Sequence, residues 1–169
     1  MSPRFRDRWI MTPSRVLFVC SGNICRSPAF ATVVDHAARR RGLPLRAGSA
    51  GAASWCAGRP LHQPMELALR RAGYPVRPHR SRVATADLLS RYDIVVPLST
   101  AVAEEMPPEV WCAATVRTLA QIVPETGVGE VPDPYGGASE DFAQVVQLAE
   151  IVADALCARG GLRHAFGAP

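Results

Sequence analysis

Residues 16–30 read VLFVCSGNICRSPAF, an apolar run that passes through small and polar residues and puts Arg26 six positions after Cys20. The stretch RVLFVC (15–20) is short, β-branched and aromatic, the pattern of a strand buried on both faces of a parallel sheet. Residues 28–41 follow with Phe30, Val33, Val34, Ala37 and Ala38 at helical spacing. Ser27 is placed to cap that helix, Pro28 suits its first turn, and Gly42 can close it. Between strand and helix, Ser21 to Arg26 then form a tight concave loop whose N–H groups point inward at the positive end of a helix. Such a nest binds an anion the size of phosphate. Gly22 permits close backbone approach, Asn23 tolerates a left-handed conformation and can lock the loop through its amide, and Arg26 offers a planar fork to two oxygens of the bound group.

The field that binds phosphate also favours a thiolate over a thiol, so Cys20 reads as a nucleophile. Ser27 can donate to its sulfur and help it leave. The reaction implied is attack on phosphorus, giving a phosphocysteine that water hydrolyses. An alkoxide or phenolate leaves poorly without a proton, so such a site also needs an acid. Asp133, held between two prolines in VPDPYGG (131–137), is the candidate to protonate the leaving group and then deprotonate the water.

A chain of 169 residues is most simply one domain with its own core. Residues 1–13 read as a flexible N-terminal extension, 14–160 as the domain and 161–169 as a tail. No apolar run nears the ~20 residues needed to cross a bilayer, and the Arg-rich start has no apolar h-region. All 19 basic residues are Arg, which with the Ala, Gly and Pro content points to a GC-rich bacterial genome. The net charge of +4 can steer an anionic substrate. The arginines are interleaved with acids and lack a stripe of alternating aromatics, so neither nucleic acid nor membrane is expected as a partner. Five cysteines, at 20, 25, 56, 112 and 157, are an odd and scattered set, which argues for a reducing compartment, the cytoplasm by default. Without a Cys-x-x-Cys pair or clustered His, no metal site is expected. A monomer or weak dimer is anticipated.

Downstream, 44–49 is a plausible second strand, 50–61 a Gly/Ala/Pro loop carrying Trp55, and 63–72 a helix closed by Gly73. Residues 85–91 suit a short helix, 93–99 a third buried strand, 114–118 a weak fourth strand and 138–158 a long terminal helix. Strands alternating with helices imply an α/β fold: a single three-layer α/β/α domain around a central parallel sheet of about four strands. The first strand should be central, with the phosphate-binding loop after it at the carboxyl edge of the sheet.

These residues resemble one family, the low-molecular-weight protein tyrosine phosphatases. CSGNICRSP (20–28) matches that family's signature. SAG (49–51) with Trp55, HRSR (79–82), YDIVV (92–96) and VPDPYGG match later blocks in order, across roughly 14–158. The resemblance implies Cys20 as nucleophile, Arg26 as phosphate clamp, Ser27 as thiolate partner and Asp133 as general acid and base. Phosphate would lie among Ser21, Gly22, Asn23, Ile24, Cys25 and Arg26. Asn23, Ser49 and His79 would support the loop, and Trp55 and Tyr135 would wall the cleft. Cys25 resembles the second loop cysteine, which forms a reversible disulfide with the nucleophile. The family uses no metal and no organic cofactor.

The aliphatic Ile24 favours an aryl phosphate, since relatives acting on phosphoarginine tend to carry Thr there. Three stretches depart from the family pattern. Trp55-Cys56-Ala57-Gly58 stands for Trp-His-x-Gly, Pro28-Ala29-Phe30-Ala31 for Pro-Met-Ala-Glu, and Leu98-Ser99 leads to Val102 instead of Asn or His. The expected substrate is a phosphotyrosine protein; because these departures alter loops around the cleft, a small aryl or alkyl phosphate metabolite is the alternative. Two further functions rank lower. Thioredoxin-coupled arsenate reduction needs a cysteine relay, and 79–100 contains no Cys. A non-catalytic phospho-binding module has no use for Asp133.

Overall fold

The structure, a computed structural model, describes residues 13–162, so the expected extension (1–13) and tail (161–169) lie almost wholly outside the described residues. Strand β1 (Ser14–Cys20) occupies the centre of a three-stranded parallel sheet, between β2 (Leu45–Gly51) and β3 (Ile94–Pro97). Its register places Cys20 opposite Gly51 and Val16 opposite Ile94. Val16, Leu17, Phe18 and Val19 are all 0% exposed. That burial on both faces explains an apolar run with no alternation.

Helix α1 (Arg26–Arg40), α2 (Gln63–Arg71) and the long α7 (Ser139–Ala158) cover one face, where Val16, Phe18, Val33, Leu69 and Phe142 share a core. The other face, through Leu17, Val19 and Val95, packs on α3 (Ala86–Leu89), α4 (Thr100–Glu105) and α5 (Pro108–Ala113). The three layers and the central position of the first strand are as the sequence implied. Helix α1 ends as expected: Gly42 takes φ +64°, and the amides of Gly42 and Leu43 return to the carbonyls of Arg39 and Ala38.

Two expectations are corrected. The fourth strand at 114–118 shrinks to one bridge, Val116 to Val95, because Ala113 still belongs to α5 and Thr118 already caps α6 (Leu119–Ile122). Helix α1 begins at Arg26 rather than 28, so Ser27 lies inside the first turn and is not the cap residue. Its hydroxyl is released for the site.

Candidate active site

The chain turns from β1 into α1 within five residues, and Asn23 makes that possible with φ 51°, the one positive φ outside glycine among the described residues. A left-handed conformation costs an L-residue roughly 1–2 kcal/mol, least for Asn, so surrounding contacts must hold it. They do. Asn23 is 0% exposed, and its Nδ2 donates to Ser27 Oγ at 3.0 Å. Its Oδ1 accepts from the Arg82 backbone N–H at 2.9 Å, and its carbonyl receives His79 Nε2 at 2.6 Å. A carbonyl can only accept, so His79 carries its proton on Nε2. Burial above all, with the nearby Arg82 charge, lowers the His79 pKa against the opposing pull of the Asn23 carbonyl.

Cys20 ends β1 at 2% exposure with Sγ 3.0 Å from Ser27 Oγ, and that oxygen lies 3.2 Å from the Ala50 carbonyl. One hydroxyl proton therefore faces two acceptors. With a thiol at Cys20, S–H donates to Oγ and the hydroxyl donates to Ala50. With a thiolate, the hydroxyl turns to sulfur, because a charged acceptor makes the stronger bond.

Arg26, 6% exposed, is aimed by its neighbours: Nη1 donates to the Val131 carbonyl at 3.2 Å, and Nη2 lies 3.3 Å from Asp133 Oδ2. The phosphate loop and the 131–137 loop, over a hundred residues apart in sequence, thus meet at the two groups assigned to clamp and acid. Asp133 Oδ1 accepts the Tyr135 N–H at 3.2 Å, which fixes the carboxyl on its own turn. Trp55 and Tyr135, the residues expected to wall the cleft, are exposed at 59% and 67%. A Cβ on Gly22 would approach Trp55 Cη2 to 3.1 Å, so glycine lets the indole close over the loop. Arg59 stacks over the Trp55 ring at 5.3 Å.

Cys25 is buried beside Cys20, and burial, reinforced by the charges of Cys20 and Asp133, pushes its thiol up to about 12. Burial likewise raises Cys56, which sits with its sulfur against Gly51 and the phosphate loop.

Of the three support residues, Asn23 and His79 come together while Ser49 enters differently. It lies within β2 opposite Phe18 and contributes its carbonyl, which accepts from Arg82 Nε at 2.9 Å; its hydroxyl makes no hydrogen bond among the described residues. The hydroxyl that holds Asn23 belongs to Ser27. Glu105, at the end of α4, also joins the site by accepting the Ser21 hydroxyl at 2.6 Å. No spacing in the sequence links those two residues, whereas Arg82 was within reach as the last residue of the HRSR block.

A family model described as low molecular weight phosphotyrosine protein phosphatase matches residues 15–162. The chain is 35% identical over 142 residues to low molecular weight protein-tyrosine phosphatase A of Mycobacterium tuberculosis, covering 82% of this chain and 86% of that protein. It is 31% identical over 137 residues to the low molecular weight protein-tyrosine-phosphatase YfkJ of Bacillus subtilis, covering 79% and 86%. The crystal structure of YfkJ superposes with a TM-score of 0.75 at 29% identity, over 87% of this chain and 94% of that one. The YwlE arginine phosphatase superposes at 0.76 with 26% identity, over 89% and 96%. The chain belongs to the low-molecular-weight protein-tyrosine phosphatase family, and it is a hydrolase that acts on phosphorylated substrates.

Proposed function

We propose that the protein hydrolyses phosphotyrosine through a phosphocysteine on Cys20. One observation carries this reading: the Cys20 sulfur has a hydroxyl partner at 3.0 Å, at the foot of a loop whose closing arginine touches the candidate acid at 3.3 Å. The phosphoryl oxygens bind the loop N–H groups from Ser21 to Arg26 and take the Arg26 fork over from Asp133. The thiolate attacks phosphorus, the P–O bond to the leaving group breaks, and Asp133 gives its proton to the departing oxygen. Water then gives a proton to Asp133 and its oxygen to phosphorus, the S–P bond breaks, and the returning thiolate is met by the Ser27 hydroxyl. In support of such an intermediate, a mutant of the structurally similar YwlE arginine phosphatase carries phosphate on an active-site serine.

Trp55 and Tyr135 as aromatic walls, with the aliphatic Ile24 in the loop, favour an aromatic ester over a small alkyl phosphate. Cys25 completes the loop as a redox partner. Peroxide converts the Cys20 thiolate to a sulfenic acid, and the Cys25 thiol displaces water from it to form a disulfide, which a thiol reductant reopens.

Hydrolysis of p-nitrophenyl phosphate and of a phosphotyrosine peptide by wild type, Cys20→Ser and Asp133→Ala, with EDTA present, tests the reading. Cys20→Ser should be inactive on both. Asp133→Ala should lose about 10²–10⁴ on the peptide, the usual worth of a general acid, and clearly less on the nitrophenyl ester, whose anion leaves without help. Turnover by Cys20→Ser would overturn the reading.

A further inference from the structure

His62 is the N-cap residue of α2, a position where Ser, Thr, Asn or Asp normally bonds the exposed amides of the first turn. Its side chain makes no such bond. The imidazole instead lies between two aromatic rings, 4.9 Å from Tyr135 and 5.5 Å from Phe142, and its Nδ1 is buried with no hydrogen-bond partner. A buried unsatisfied polar atom costs stability, and the forgone cap adds to that cost. A residue that breaks two local rules at once marks a place where position matters more than stability.

Both ends of His62 touch the active site. Its backbone N–H donates to the Ile24 carbonyl of the phosphate loop at 2.8 Å. Its ring supports Tyr135, whose own N–H holds Asp133 Oδ1 at 3.2 Å. Phe142, 2% exposed on α7, backs the imidazole against the core. Around this stack the cleft between α2 and α7 is open, with a volume of about 890 Å³ lined by His62, Leu67, Tyr135, Phe142 and Val146. Without the ring, Tyr135 and the acid's turn would stand over that space.

We propose that His62 is a positioning residue that sets the Asp133 turn against the phosphate loop, holding one loop by its backbone and the other by its ring. The inference rests on Asp133 being the acid. It makes one demand: the ring must matter for function, and only through the acid.

The experiment compares wild type, His62→Asn, His62→Phe, Asp133→Ala and the His62→Asn/Asp133→Ala double variant, on p-nitrophenyl phosphate and a phosphotyrosine peptide, with melting temperatures alongside. Asn restores a cap and removes the ring, so its melting temperature should equal or exceed that of wild type. Its kcat on the peptide should fall about tenfold, since a misplaced acid is a poor one, with KM little changed and less than about a twofold loss on the nitrophenyl ester. Phe keeps the ring and should stay within about twofold of wild type. The double variant should be no slower than Asp133→Ala. Equal losses on both substrates, a Phe variant as slow as Asn, or additive losses in the double variant would overturn the proposal. If Asp133→Ala itself fails to discriminate between the substrates, the acid assignment fails and takes this inference with it; if only His62→Asn fails to do so, the inference alone is wrong. Should His62→Asn not fold, His62→Leu against His62→Phe makes the same comparison of ring with no ring.

Discussion

Asn23 shows how one residue can hold a strained loop in place. Its left-handed backbone turns the chain between Cys20 and Arg26, and its amide and carbonyl are tied to Ser27, Arg82 and His79. The His79 contact has a pH consequence. An unfolded histidine takes up a proton as pH falls through 6.5, whereas folded His79 has a lower pKa, chiefly from burial. Between those values the unfolded state binds more protons, so the stabilisation is complete above 6.5 and is lost as pH falls towards the folded value. Thermal melts from about pH 7.5 to about pH 5.5 should show wild type losing stability more steeply than His79→Gln, which has no charge to gain. Parallel slopes would show that His79 is not held as the neutral donor.

At this scale much of the site was legible. Cys20, Arg26 and their small-residue loop are adjacent in sequence, and Asp133 is conspicuous between two prolines. What escaped was contact made through backbone or across elements: the Ala50 and Val131 carbonyls, the Arg82 amide and the Glu105 carboxylate. Backbone partners leave no trace in residue type. The sequence allows Ser27 either as helix cap or as sulfur partner, and the helix start at Arg26 leaves only the second.

Among the elements, β1 ends in Cys20 and α1 begins with Arg26, so their packing fixes how the two residues are set against each other. Phe18 of β1 and Phe30 of α1, both 0% exposed, pack in a tilted pair with centroids 5.4 Å apart. Phe30→Ala should destabilise the protein by about 3–5 kcal/mol in denaturant unfolding, the range for deleting a buried phenyl ring. A loss under about 1 kcal/mol would mean that this contact does not anchor α1. Long elements with a strong apolar pattern, such as β1 and α7, could be placed from sequence within a residue or two. The helices between 100 and 122 could not, because segments of four to six residues hold too little of a helical period to declare themselves. One of them did carry a readable start signal. Thr118 and Gln121 form a capping box at the head of α6, and the same cap ends the strand that 114–118 was expected to form.

Across the whole molecule, a parallel sheet with its first strand central gathers at one edge groups that the sequence scatters over more than a hundred positions. The proposed nucleophile Cys20 ends β1 and the proposed clamp Arg26 opens α1, while Trp55 and Tyr135 come from the segments after β2 and before α7, and the proposed acid Asp133 from the turn that enters α7. None of the described helices is long and apolar enough to cross a membrane.

The central claim is that phosphate passes through the sulfur of Cys20, and rapid-quench mass spectrometry during turnover of a phosphotyrosine peptide addresses it most directly. The account predicts a phosphoryl adduct confined to the peptide that contains Cys20, formed at a rate no slower than steady-state turnover and absent from Cys20→Ser. An adduct on another residue, or steady turnover by Cys20→Ser, would contradict it.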